Sequence, residues 1–361
     1  MERRTYLASV SAGVATLAGC SVPLSSGTDR AEWTFETGGS VSSPPLVHDE
    51  VVYVGSHDHY LYALDRHDGA EQWRFPAGQK VIGGVATDGN TLYWGSFDWQ
   101  VYAVDRPQAR DGTPRLRWVF ETNSAISSTP VLDGETLYIG SQDRSLYALS
   151  KGDGSLCWSF ETGGNILQAP AVTDDRLYVG SNDNRLYALE KESGDRQWYF
   201  ETEGSVGCIP AVVEETVYAG SYDGHLYAVA ADSGEAEWTF STAGRVQSSP
   251  SVVDGTVYVG DREGIVYAVD AETGDELWQY ETAGTVWNAT PLLDDGVLYI
   301  GTGRRGGGGV HALDAESGER QWSFETDGTV HDSLTLADEL LYFGTRQSGS
   351  TSGKVHAISL G

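Results

Sequence analysis

A tryptophan returns along this chain at a nearly constant interval. Trp33, Trp73, Trp118, Trp158, Trp198, Trp238, Trp278 and Trp322 are separated by 40, 45, 40, 40, 40, 40 and 44 residues. Self-similarity at a period of about 20–50 residues means one supersecondary unit copied along the chain, and it builds solenoids, propellers or arrays. The same content fills each interval. A small-residue segment such as Ser40-Val41-Ser42-Ser43-Pro44-Pro45-Leu46-Val47 follows the Trp. Next comes a Tyr-x-Gly element, at Tyr53, Tyr93, Tyr138, Tyr178, Tyr218, Tyr258, Tyr299 and Tyr342. An aromatic-Ala element such as Leu61-Tyr62-Ala63-Leu64 and a Gly-containing turn then lead to the next Trp.

Short runs rich in Val, Tyr, Trp and Leu, bounded by Gly, Asp, Ser and Asn, are strands joined by tight turns. No run keeps a helical period. Four strands in about 40 residues is the content of a propeller blade. A solenoid needs polar capping repeats, and neither end reads as one. Let the strands be A (after the Gly-rich turn), B (Tyr-x-Gly), C (aromatic-Ala) and D (Trp). The first strand, Glu32-Trp33-Thr34-Phe35, is a lone D, and the last unit stops after C, at Val355-His356-Ala357-Ile358. The first strand is expected to complete the last blade, which removes an open sheet edge. The expected fold is all-β: an eight-bladed propeller with four antiparallel strands per blade, monomeric. The eight tryptophans are expected to dock blade on blade. Each indole covers roughly 150–250 Å², worth at most about 4–6 kcal/mol at about 25 cal/mol per Å².

These units resemble the pyrroloquinoline-quinone (PQQ)-type propeller repeat. Its pattern Ala-x-Asp-x-x-x-Gly-x-x-x-Trp stands as Ala63-Leu64-Asp65 to Gly69 to Trp73, as Ala268-Val269-Asp270 to Gly274 to Trp278, and as Ala312-Leu313-Asp314 to Gly318 to Trp322. In other units Ser150, Glu190 and Ala230 replace the Asp. WD-type and kelch-type signatures do not recur. The resemblance implies two classes. Quinoprotein dehydrogenases hold the quinone and a calcium ion at the mouth of the ring; BamB-like scaffold lipoproteins use an eight-bladed ring to hold other proteins. This chain is similar to the second: it is short, lacks large insertions between strands and carries a lipobox-like segment. No adjacent cysteines stand ready to stack on a quinone, and no catalytic Asp carries over. The implied cofactor content is none, with PQQ and calcium belonging to the alternative of a quinone-dependent dehydrogenase or its relic. A sugar- or small-ligand-binding surface protein is a further alternative. Cys157 and Cys208 are expected on opposite faces, without a disulfide.

The first residues read as an address. Arg3-Arg4, an uncharged stretch from Thr5 to Gly19 and Leu17-Ala18-Gly19-Cys20 describe a signal peptide and not a span. The arginine pair resembles a twin-arginine export signal, and Leu-Ala-Gly-Cys resembles a lipobox. The expected organisation is a signal peptide over 1–19, a lipidated Cys20 with a flexible tether over 20–30, and the propeller over 31–361. The chain would then be exported and anchored to the outer face of the cytoplasmic membrane by Cys20, with envelope or secreted proteins as partners.

Charge narrows the partners. The chain has 23 Lys+Arg against 52 Asp+Glu, a formal net charge of −29. Such a body repels phosphates and has no basic stripe, which excludes nucleic acid. Only Lys80, Lys151, Lys191 and Lys354 are lysines. An acidic, lysine-poor surface stays soluble where salt at about 1 M shortens the Debye length to about 3 Å. This reads as a halophilic, archaeal protein that loses stability when diluted into low salt.

Other motifs dissolve on inspection. Gly301-Thr302-Gly303-Arg304-Arg305-Gly306 matches G-x-G-x-x-G, but the segment leads into a strand and not the helix a pyrophosphate needs. Asp58, Asp98, Asp143, Asp183 and Asp223 recur in the B–C turns, where one carboxylate per turn reads as bonding to turn backbone and not as a calcium cage. No zinc spacing and no hydrolase elbow occurs.

The repeat breaks in its last two units, and local rules fail most often at functional or strained sites. Gly301 to Ala312 spans 11 steps and Gly344 to Ala357 spans 13, against 8 from Gly55 to Ala63. His311 and His356 replace the usual Tyr, and Trp287-Asn288 and His331-Asp332 stand where other units have small residues. In an up-and-down blade the D–A and B–C connections share one face. Gln168, Gln247, Trp287, Asn288, His331 and Asp332 from D–A segments, with Arg304, Arg305 and Arg346 from longer B–C loops, are therefore the candidate partner- or ligand-binding mouth.

Overall fold

The computed structural model describes residues 30–107, 112–304, 307–347 and 352–360. The leader, Cys20 and Arg305 fall outside them, and Arg304 is described in its backbone alone. All named elements are strands, in eight four-stranded antiparallel sheets. Blade 1 runs Leu46–His48, Val51–Gly55, Tyr60–Asp65 and Glu71–Pro76 as A to D. Blade 8 is Thr335–Ala337, Leu340–Arg346 and Gly353–Ser359, closed by Ala31–Thr37 as its D strand. The eight-bladed ring read from the sequence, with its first strand completing the last blade, is the observed architecture.

Strands B and C carry the core. Val52, Tyr53, Val54, Leu61, Ala63 and Leu64 are all at most 1% exposed, since both faces of each blade are covered by neighbours. That is why these runs are continuously apolar. D strands lie outermost, as in Glu71–Pro76, where Trp73 is buried between a half-buried Gln72 and an exposed Arg74.

The tryptophans bind each blade to itself and to the next. Each indole packs on the B-strand Tyr of its own blade, from Tyr53–Trp73 at 5.8 Å between ring centroids round to Trp33–Tyr342 at 5.9 Å. Trp33, Trp118, Trp158, Trp198, Trp238 and Trp278 also donate the indole N–H to a C–D turn carbonyl of the following blade, at 2.8–3.1 Å. Trp73 and Trp322 face the two exceptional C–D connections: blade 2, whose spacing is lengthened, and blade 8, where C and D are not consecutive in the chain. At blade 8, Arg30 lies over Trp322, 4.3 Å from its ring. The Arg30 guanidinium donates to the carbonyls of Ser359 and Leu360. Trp158, Trp198, Trp238 and Trp278 are only half-buried, so their contribution falls below the full-burial figure.

Two further readings meet the structure. The additional residues of units 7 and 8, read as loops, are mostly strand. Strand B of blade 7 runs to Arg304 and strand C begins at Gly307, with Arg304 opposite Gly307. Glycine permits this extension: a Cβ on Gly308 would lie 2.3 Å from the Thr302 carbonyl oxygen. Among the described residues, Cys157 and Cys208 are both free, Cys157 exposed and Cys208 buried. Burial pushes the Cys208 thiol up to about 12, and its Sγ accepts the Gly220 N–H at 3.2 Å.

Candidate partner-binding rim

A closed main-chain circuit frames the mouth of the ring. Between blades, the D–A segment bonds back to one B–C turn and forward to the next. Val81 N–H donates to Ser56 O (3.1 Å), and Phe97 N–H donates to Lys80 O (2.9 Å). The pattern continues through Ile126–Ser96, Ile166–Ser141, Val206–Ser181, Val246–Ser221, Val286–Asp261 and Val330–Thr302, and it closes where Val41 N–H meets Thr345 O. The rim is thus a preorganised platform that displays one variable residue per turn.

The recurring aspartates hold this platform. Asp58 Oδ2 accepts Gly38 N–H at 2.8 Å and Tyr62 O–H at 2.7 Å. Asp98 and Asp143 repeat the arrangement with Gly78 and Tyr102, and with Asn123 and Tyr147. Each carboxylate therefore staples its turn to the preceding D strand and a core tyrosine, and burial with the neighbouring Asp58 pushes Tyr62 up to about 12. In blade 6, Asp261 assumes this task from a position two residues earlier, taking Gly244 N–H and Tyr267 O–H. This frees the turn between Asp261 and Gly264 to present Arg262.

In blades 7 and 8 the Asp–Tyr pair is replaced as a unit. His356 is 7% exposed, stacks on Phe343 at 5.0 Å, and places Nδ1 3.3 Å from Thr34 Oγ1 across the closing seam. Its Nε2 is buried without a partner. Burial, assisted by Lys354 and opposed by Asp327, lowers its pKa to about 4. The unfolded chain binds this proton at a higher pH than the ring does. The neutral His356 therefore contributes stability that is complete above about pH 6.5 and lost as pH falls towards 4, on the order of 3 kcal/mol. His356→Phe should flatten the fall in melting temperature between about pH 7 and 4.5; an undiminished fall in the variant assigns the acid sensitivity to another group.

The candidate residues divide into two groups. Gln168, Gln247, Asn288 and Asp332 line the central channel with Pro44 and Ser127, around about 120 Å³ of space. Gln247 Nε2 donates to Asn288 Oδ1 at 2.8 Å. Trp287 and His331 form the second group, on the rim. Their rings stack at 4.7 Å and 27°, and His331 Nδ1 lies 3.4 Å from Asp332 Oδ2. Arg346 is exposed at the end of strand B in blade 8, where its main chain pairs with Thr329. Arg304 ends strand B of blade 7 on the same face.

The sequence reading missed Arg262. Its Cζ lies 3.5 Å from the centre of the Trp287 ring, and its Nη1 donates to Gln247 Oε1 at 2.7 Å. It thereby joins the rim stack to the channel network. Burial, with Arg245 nearby, lowers its pKa. An open groove of about 810 Å³ runs beside this stack, lined by Arg262, Glu263, Glu281, Trp287, Gly303 and Thr329. The signal was present: a cation stands at a turn position that holds Phe97, Gln142, Asn182 or Tyr222 in other blades.

The central channel is too narrow for a quinone-sized cofactor, whereas the open groove beside Trp287 is not. The channel space is far below the roughly 300–1,000 Å³ of small-molecule and cofactor pockets. Trp287 already stacks with His331 and Arg262. Among the described residues, no group of three or more His, Cys, Asp or Glu side chains converges as a metal site.

The sequence matches the family model described as outer membrane protein assembly factor BamB over residues 10–106, 57–122, 99–238, 201–289 and 222–361. No curated protein matches it in sequence. Among solved structures, BamB from Moraxella catarrhalis is similar with a TM-score of 0.73 and 19% identity, covering 90% of this chain and 98% of that one. A computationally designed protein gives 0.76 at 15% identity, covering 92% and 100%. A quinohemoprotein alcohol dehydrogenase from Pseudomonas putida gives 0.76 at 14% identity, covering 92% of this chain and 76% of that one. At these identities the structural likeness bears on the fold alone.

Proposed function

This chain belongs to the family of the outer membrane protein assembly factor BamB, and from that premise we propose that it is a non-catalytic scaffold that holds envelope or secreted proteins on its D–A/B–C rim. The observation that carries this reading is the rim itself. A rigid hydrogen-bonded circuit displays Trp287, His331 and Arg262 beside an open groove, which is the anatomy of an aromatic and arginine anchor for a protein partner. An archaeal setting would separate this role from outer-membrane assembly and leave the scaffold design.

The anchor belongs to the same proposal. Residues 1–19 would direct export, and Cys20 would carry the lipid. The chain enters the ring at Arg30, beside Ser359 and Leu360, on the face opposite the rim. A tether from Cys20 to Arg30 reaches roughly 35 Å when extended. The ring would then stand on the membrane with its rim directed away from it.

Affinity capture from native membranes at high salt tests the reading. Trp287→Ala with His331→Ala should lose most of the captured envelope protein, a drop of about tenfold or more for a rim anchor, while the melting temperature stays unchanged. Equal capture by the variant would remove the rim from the mechanism. Quinone-dependent dye reduction after reconstitution with PQQ and calcium would overturn the scaffold reading in favour of an oxidoreductase.

A further inference from the structure

In six seams the next blade catches the tryptophan N–H, and in four of them a tyrosine shares the acceptor. Trp198 Nε1 and Tyr178 Oη both donate to Ala231 O, at 3.0 and 3.2 Å. Lys151 O, Ala271 O and Ala315 O each receive the same pair of donors. A glycine of the same C–D turn lies against the indole: a Cβ on Gly234 would come within 2.7 Å of the Trp198 ring. A complete seam thus sets two side-chain donors beneath one main-chain carbonyl.

Blades 1 and 2 keep the donors and change the acceptor. Arg106 is the counterpart of Ala231: its N–H donates to Asn90 O at 2.8 Å, as that of Ala231 does to Glu215 O at 2.7 Å. Pro107 follows it, where the turn of blade 5 carries Asp232. A residue before proline is confined to extended backbone, and the Arg106 carbonyl takes no bond from Trp73. Trp73 is 9% exposed, yet among the described residues its N–H meets no acceptor. The Arg106 side chain turns instead to Asp49 Oδ2, at 2.8 Å, and to the Tyr53 hydroxyl. About 510 Å³ of open space lies against the indole, lined by Asp49, Tyr53, Asp65, Gln72, Trp73 and Arg106. The groove between blades 5 and 6, about 790 Å³, reaches Tyr218 and stops short of Trp238. Trp322, whose N–H is also unbonded among the described residues, lies under the Arg30 guanidinium. A donor nine-tenths buried without an acceptor carries a penalty that a ligand oxygen would relieve.

We propose that the seam between blades 1 and 2 is a second docking site, which receives a main-chain carbonyl from a turn of a partner protein on the Trp73 N–H. The partner's turn takes the place that the chain's own C–D turns take in six other seams. A neutral carbonyl suits the site and an anion does not, because Asp49 and Asp65 stand beside the donor and repel a carboxylate or phosphate. The same carboxylates favour the N–H groups that adjoin every peptide carbonyl. The site lies on the face opposite the rim, where the chain enters at Arg30, and does not depend on what the rim holds.

Labelling the tryptophans of the full chain with nitrogen-15, in about 1 M KCl, gives one indole N–H signal for each; Trp73→Phe identifies that of Trp73. This signal should exchange with solvent about tenfold faster than that of Trp198, the weight of one hydrogen bond. The probe is a cyclic peptide of the blade 5 turn, residues 230–236 with Asp232→Asn and Glu235→Gln. It should shift the Trp73 signal saturably, slow its exchange about tenfold, and leave Trp198 unmoved. The same peptide with a thioamide at Ala231, a poorer acceptor, should bind more weakly. Trp73→Phe should lower the melting temperature less than Trp198→Phe, which breaks the bond to Ala231 O. A Trp73 N–H as protected as that of Trp198, a peptide that leaves its signal in place, or equal binding of the thioamide overturns the proposal. A shift produced by inorganic phosphate or phosphatidylglycerol vesicles in place of the peptide overturns it as well. Capture lost in the Trp287→Ala, His331→Ala variant concerns the rim alone, so the two readings fail separately.

Discussion

Replacing Trp33 and Phe35 together by Ala should open the ring. Both side chains belong to the strand that enters from the far end of the chain, Ala31–Thr37, paired with Gly353–Ser359 from Ala31 opposite Ile358 to Thr37 opposite Gly353. Trp33 is 7% exposed, packs on Tyr342 and donates its N–H to Arg66 O in the next blade. Phe35 meets Tyr62 of that blade edge-on at 5.5 Å. Truncating a buried aromatic such as Trp33 costs about 3–5 kcal/mol; the half-buried Phe35 adds less, and the combined loss, on the order of 5 kcal/mol or more, is comparable with the 5–15 kcal/mol that holds a typical domain together. An opened ring presents an unpaired edge on strand C of blade 8 to other chains. Light scattering should therefore show oligomers or aggregate, and the cooperative thermal transition should disappear. Glu36→Ala, in the same strand but on its solvent side, should remain a monomer. A monodisperse W33A/F35A protein with the parent's melting temperature would show that the closing strand is dispensable.

The same substitution at two glycines should separate backbone strain from blade docking. Gly134 and Gly194 both have positive φ, 55° and 75°. At Gly134 an added Cβ meets nothing within 4 Å, whereas at Gly194 it would lie 2.5 Å from Cε3 of Trp158. Gly134→Ala then costs only the left-handed backbone, about 1–2 kcal/mol. Gly194→Ala adds the displaced indole and the strained bond from Trp158 to Lys191 O, for roughly 3–5 kcal/mol in all. Denaturant midpoints measure both. Equal losses at the two sites would mean that the indole shifts freely and that the Trp–Gly contact does not hold neighbouring blades in place.

The ring was legible because its determinants repeat. One Trp and one Tyr-x-Gly strand per unit are each dictated by the same local packing eight times, and one Asp at the same place in the B–C turn five times. The lone D strand at Trp33 announces closure without any knowledge of coordinates. The Asp reading also follows from local chemistry, since Asp58 and its counterparts bond to turn backbone and to a Tyr four residues on. The rim was legible only in part. Trp287 and His331 stand out because they interrupt the repeat. Arg262 does not: it occupies a position that varies from blade to blade, and its meaning lies in what neighbouring blades place beside it. A ring joins segments about 40 residues apart into one surface, and no single window of sequence contains that surface. The extended hairpin of blade 7 escaped for a different reason. Its Gly-Gly-Gly run reads as loop by composition, yet Gly307, Gly308 and Gly309 pair with Arg304, Gly303 and Thr302 because the tight approach of neighbouring backbone admits no side chain.

The way the chain enters its last blade also sets how the ring would carry a mechanical load. Arg30 and Ala31 lie at the end of the closing strand beside Ser359, and Thr37 lies at the rim end. A pull on the segment upstream of Arg30, countered by a partner held at the rim, runs along the axis of this strand. Its ladder to Gly353–Ser359 is then sheared, with every rung loaded at once, instead of being unzipped rung by rung. The seam that closes the ring without a covalent bond is thereby oriented in its strongest direction.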